Sequence, residues 1–217
     1  MVIAYKLPLT TDKLLLLAAT YFQQLAVALK SICKLDARFK PIFILLHLEK
    51  EQSYKTIIMA NEINKKLAEE FRNTLDGDSW YSSNFITIIN EVSADTAVKK
   101  LRGFPNSIAE IVFHMTQWKK FCIKKMEGDK DFDITLHSEE DWKRFNSLGE
   151  DEWEDIKSEF EEMTINLSKA ISAAADEKLN TTVPGRKYSF FHLVIGIIEH
   201  ETAHTTQISY LKRLLDN

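Results

Sequence analysis

The stretch 190-FFHLVIGIIEHETAHTTQISYLKRLL-215 decides how this chain is read. Ser189 stands at its start, where a hydroxyl caps the free N–H groups of a first helical turn. Lys212 and Arg213 stand near its end, where cations match the negative pole of a helix. The segment therefore predicts one long apolar helix over residues 190–215. His200 and His204 sit at i and i+4 within it. That spacing puts two imidazoles on one helical face, with Cβ atoms about 5–6 Å apart. Such a pair presents two nitrogens to one metal ion, and a third protein ligand would leave a fourth position open to water or substrate.

The third histidine is sought upstream, in 107-SIAEIVFHMTQWKKF-121. Ser107 and Glu110 have the spacing of a capping box, which predicts a helix from there to about Met126. His114 lies within its apolar stripe of Ile108, Ile111, Val112, Met115 and Trp118. A lone histidine on such a face is ordinarily a core residue with a satisfied hydrogen bond. With an i, i+4 histidine pair on a second apolar helix, one ion satisfying three otherwise costly imidazoles becomes the competing reading.

Outside these helices the pattern stays helical. Ile63, Leu67, Phe71 and Leu75 recur every four residues, and Asp76-Gly77-Asp78 ends the run. Trp80 and Tyr81 precede a short pattern over 84–92, and Ser93 is placed to cap a helix over 94–102. Residues 103–106 and 128–133 read as loops, residues 138–142 as a helical turn carrying Trp142, and residues 150–174 as a long helix with a strongly acidic, solvated face. Residues 183–186 form a turn. With only 6 Gly and 4 Pro in 217 residues, long helices are favoured over many short strands. Residues 1–58 hold two further apolar patterns, over 12–34 and 40–48, and no cluster of chemically capable groups. They are expected to be a helical N-terminal extension, one that an upstream start codon would explain, because Met59 opens a pattern that reads like a fresh N-terminus. The expected division is 1–58 for the extension and 59–217 for the bundle.

A net charge of -4 and a pI near 5.9, with no basic stripe, count against nucleic acid and anionic membrane as partners. No apolar run reaches the length of a membrane span, and the weakly basic start lacks the features of a secretory leader. The two cysteines, Cys33 and Cys122, form no C-x-x-C pair and fit a reducing cytoplasm.

The string from His200 to His204 also matches the zinc-protease pattern H-E-x-x-H. The usual third ligand of that pattern lies downstream, where the residues after His204 offer only Asp216. His192, His47 and His137 are left out of the first coordination sphere, and Cys122 lies too far along its helix from His114 to join it. Glu110 is read first as the capping-box acceptor and second as a partner that orients an imidazole. Gln207 is a candidate to line a pocket or to hydrogen-bond within the bundle.

Taken together, 107-SIAEIVFHMTQWKKF-121 and 192-HLVIGIIEHETAHTTQISYLKRLL-215, with WYSSNF near residue 80 and EEDW near residue 140, resemble the DinB-like superfamily over roughly 59–217. The resemblance implies an all-α, up-down four-helix bundle with one metal ion at one end of its core. The family's histidine positions correspond to His114, His200 and His204, and none is missing. The implied cofactors are one divalent metal ion (zinc, nickel, manganese or iron) and a low-molecular-weight thiol. The implied activity is that of a metal-dependent thiol transferase or hydrolase acting on a small electrophilic molecule. The implied assembly is a homodimer. A non-enzymatic, metal-stabilised bundle is the alternative, and a DNA-damage-response binding protein is a third class, suggested by the family name alone.

Overall fold

The computed structural model describes Glu49, residues 63–78 and residues 83–216. The helical patterns over 12–34 and 40–48, the extension that contains them, Cys33, His47 and the Trp80–Tyr81 pair lie outside the described residues. Among the described residues of the second part of the chain there are seven helices. They are α1 (63–76), α2 (Phe85–Ile89), α3 (Ala94–Val98), α4 (Ile108–Glu127), α5 (Glu150–Ala173), α6 (Asp176–Asn180) and α7 (Phe190–Leu215). The only β pairing among them is an isolated bridge between Thr182 and Ser189. The all-α bundle expected from the sequence is therefore present, built on the four long helices α1, α4, α5 and α7. None of the described helices is long and apolar enough to cross a membrane.

The sequence signals explain the ends of these helices. Ser107 and Glu110 form the complete capping box of α4, and Gly128, at φ 92°, closes it in the left-handed region that glycine enters without strain. Ser189 accepts from His192 N–H at the start of α7. Glu152 accepts from Gly149 N–H at 2.8 Å and so closes the start of α5. Two short helices stop before the sequence pattern does. The helix expected over 94–102 ends at Val98, because the chain must turn to enter α4. Phe104 N–H reaches Leu101 O at 3.0 Å, Gly103 adopts φ 91°, and Lys100 is drawn to Glu110 at 2.9 Å. The pattern over 84–92 yields a regular helix only over Phe85–Ile89, capped by Asn84. The turn at 183–186 has Pro184 followed by Gly185 at φ 78° and closes through Arg186 N–H to Val183 O, as a type II turn requires.

Two apolar clusters show how the long helices run. One joins the first halves of α4 and α5 (Ile108, Met115, Trp153, Phe160) to the end of α7 (Ile208, Leu211). The other joins the second halves of α4 and α5 (Phe121, Leu167, Ile171) to the start of α7 (Phe190, Val194). α4 and α5 therefore run in the same direction and α7 runs opposite to both. Asn64 donates to Ala174 O at 2.7 Å and Ser168 to Ala68 O at 3.0 Å, so α1 also opposes α5. Strict up-down alternation is thus broken once, between α4 and α5. The connection 128–149 carries the chain back along the bundle as a crossover, a known variant of four-helix connectivity. The crossover is anchored by buried Ile134 at one end and buried Phe145 at the other. Trp153 is fully buried and donates to Val92 O at 2.7 Å, tying α5 to the segment after α2.

Candidate metal centre

The crossing of α4 and α7 brings together His114, His200 and His204. Their ligand nitrogens all lie within 4.8 Å of one another, a group that could hold a metal ion. His114 Nε2 and His200 Nε2 are 3.0 Å apart. A tetrahedral ion with bonds of about 2.0–2.1 Å needs ligands about 3.3 Å apart, a spacing that falls inside this range. Three imidazoles are also a donor set that accepts most first-row divalent ions. On both counts the residues present fit such an ion.

The partners of two of the three rings, His114 and His204, favour this use. His114 Nδ1–H donates to Asp141 Oδ1 at 2.8 Å and lies 3.2 Å from Asp141 O, which leaves Nε2 with a free lone pair. Asp141 is itself buried. It accepts from Trp118 Nε1–H at 3.0 Å and from the backbone N–H of His137 at 2.8 Å. His204 Nδ1–H donates to Gln207 Oε1 at 2.8 Å, so Gln207 hydrogen-bonds within α7, one of its two expected roles. Engaging Nδ1 in this way leaves Nε2 of His114 and His204 available to a metal ion, the arrangement by which acceptors orient metal-binding histidines. Trp142 stacks on His114 with ring centres 3.8 Å apart and planes at 10°.

Asp141 is the functional residue that sequence reasoning missed. It sits in the EEDW string of the crossover, far along the chain from His114, His200 and His204, and only the return of that crossover along the bundle brings it to His114. Glu110 keeps its capping-box role and pairs with Lys100 and Arg144, each at 2.9 Å. His137 is exposed, as expected, but has φ 64°, an unusual conformation for a non-glycine residue that aims its N–H at Asp141.

Glu201, the residue that would make the zinc-protease pattern work, is not at the meeting point of the rings. It is buried with Lys119, whose Nζ lies 2.7 Å from Glu201 Oε2 and 3.1 Å from the centre of the Phe160 ring. Glu201 Oε1 approaches His200 on its Nδ1 side, at 3.9 Å. Committed to Lys119 in the core, Glu201 is not placed as the general base of a protease.

Burial, reinforced by His200 and then His204, holds His114 down at about 4, and burial also lowers His204. His114 is therefore a neutral donor at physiological pH, as a metal site needs. Burial pushes the Cys122 thiol up, which suits an inert structural thiol rather than a nucleophile.

Two expectations follow. Asp141→Ala should lower affinity for a divalent metal about 10- to 100-fold, the usual effect of losing an orienting partner, read by calorimetric titration. The second concerns acid. The ordinary value of 6.5 for the His114 ring falls to about 4 on folding. Its contribution is therefore fully present above 6.5 and is lost as pH drops toward about 4, because the unfolded chain takes up the proton first. The metal-free protein should lose up to about 3 kcal/mol through this residue. Urea midpoints at pH 7 and pH 4.5 should converge in His114→Gln relative to wild type, and an unchanged acid sensitivity would refute the assignment.

Beside the triad lies a cavity of about 300 Å³, lined by Trp118, Tyr188, His192, Gly196, Ile197 and His200 among others. His192 thus stands outside the histidine group, as expected, but on the wall of the neighbouring cavity. A family model described as the DinB superfamily matches residues 59–208. No curated protein and no solved structure matches the chain.

Proposed function

Because the chain belongs to the DinB superfamily, we propose that it is a metal-dependent enzyme, a thiol transferase or hydrolase acting on a small electrophilic molecule, with His114, His200 and His204 as the ligands. The observation that carries the reading is that His200 belongs both to the convergent triad and to the wall of the adjacent cavity. A purely structural ion needs no such cavity, whereas a catalytic one needs an open position facing it. When bound, a divalent ion supplies Lewis acidity, which can lower the pKa of a bound water or thiol or polarise a substrate carbonyl.

The chain's own residues do the rest. Asp141 and Gln207 hold the Nδ1 protons of His114 and His204, so that their Nε2 atoms stay available. Trp142 covers one face of His114 and keeps water from it. A cytoplasmic homodimer using a low-molecular-weight thiol completes the proposal. Exposed Tyr210 and Leu214, one turn apart at the end of α7, support self-association. The test is elemental analysis of protein purified without an affinity tag, then a screen of small thiols against electrophilic acceptors, with light scattering for the dimer. Near-stoichiometric metal and metal-dependent thiol transfer or hydrolysis are expected. A protein that binds no divalent ion under any loading condition overturns the reading.

A further inference from the structure

Gly196 occupies the interior of α7, where glycine is less favourable than alanine. Two reasons usually account for such a residue, a positive φ or a neighbour too close for a side chain. Neither holds. The positive-φ glycines are Gly103, Gly128 and Gly185, and a Cβ built on Gly196 would meet nothing within 4 Å. What lies in front of Gly196 is the cavity beside the triad. The helix places it one turn before His200, so the missing side chain opens space directly next to that ring.

The walls of this cavity are chemically specific. They include Trp118, Leu193, Ile197 and Tyr188 and contain no Asp, Glu, Lys or Arg. Away from His200 and the ion proposed there, a charged group would be partly desolvated with no carboxylate, ammonium or guanidinium on the walls to pair with it, while an apolar ring would exchange water for indole and aliphatic contacts. At about 300 Å³ the space is at the small end of ligand pockets. We propose that this cavity holds the uncharged, apolar or aromatic body of the substrate, with its polar reacting group turned toward His200, and that Gly196 sets the size it admits. This deepens the proposed function and rests on it for the direction in which the substrate lies.

The test uses the full chain and two matched probes, 2-naphthol and 6-hydroxynaphthalene-2-sulfonate, whose charge lies on the ring body away from the hydroxyl, titrated by ligand-observed NMR on zinc-loaded protein. The expected result is saturable binding of 2-naphthol, with the sulfonate at least 10-fold weaker. Gly196→Leu should weaken 2-naphthol at least 10-fold and Gly196→Ala less, while exposed Ala203→Leu on the same helix should change nothing. Leucine and alanine both favour the helix over glycine, so circular dichroism and melting temperature should show an intact fold. Elemental analysis of each variant keeps the two readings separate. Protein that holds zinc but does not bind 2-naphthol, or whose 2-naphthol binding ignores Gly196→Leu, overturns the pocket and leaves the metal centre standing. Binding of the sulfonate as tight as that of the naphthol overturns the uncharged class. Binding of 2-naphthol that responds to Gly196→Leu in a protein that never holds metal supports the pocket and overturns the metal reading instead.

Discussion

His204→Ala removes most of the protein's affinity for divalent metal, and His192→Ala leaves it nearly intact. The contrast follows from position. His204 contributes one of three nitrogens that lie within 4.8 Å of one another, while His192, more than three turns earlier on the same helix, belongs to no such group. Without His204 an ion keeps two protein ligands, too few to close either a structural or a catalytic site. The loss should exceed the roughly 10- to 100-fold typical of removing an orienting partner, so His204→Ala should bind more weakly than Asp141→Ala. Titration of the metal-free protein with cobalt, followed by calorimetry and by the visible absorption of the bound ion, checks the order. Equal loss in His192→Ala and His204→Ala would defeat the triad.

The second large effect concerns stability. Lys119 is fully buried and Glu201 nearly so, and the pair spans α4 and α7 at 2.7 Å. Burial lowers Lys119 to about 8, with Glu201 opposing the shift. Glu201→Leu alone leaves an ammonium in the core over the Phe160 ring and should cost about 3–5 kcal/mol. For a chain of this size that corresponds to a fall in Tm of roughly 6–20 °C. The double variant Lys119→Met with Glu201→Leu fills the same space with apolar groups. It should regain wild-type stability or exceed it, as such replacements often do. Urea denaturation of both variants measures the difference. A single variant that costs under about 1 kcal/mol would mean that water reaches Lys119 and that the pair is not the sealed contact described here.

The sequence made the helices and the histidines legible for a simple reason. Caps, an i, i+4 repeat and an apolar face are local, and Ser107, Glu110, Ser189, His200 and His204 each act within a turn or so of their own position. What could not be read was non-local. Asp141 carries no mark that sets it apart from Glu139 and Glu140 beside it; its role comes from the path of the crossover. That path had one signal, since Ile134, Trp142 and Phe145 are too apolar for a solvated loop and have to be packed against something. Gly196 had another, as a glycine inside a strongly helical pattern. Lys119 and Glu201 carry no local mark of burial; it is the packing of α4 on α7 that closes over them.

The crossover has a consequence for how the molecule would be handled by proteases and by solvent. From Gly128 to Gly149 it contains no regular helix, yet Asp141, Trp142 and the N–H of His137 all grip the surroundings of a single ring, His114. Ile134 and Phe145 pin the two ends of the segment in the cores, and this attachment pins its middle. Whatever fastens His114 therefore also steadies the middle of the crossover, and whatever frees it loosens the stretch around His137, Asp141 and Trp142. Amide exchange and limited proteolysis across 128–149 become a gauge of the state of the histidine centre, readable without knowledge of substrate or reaction.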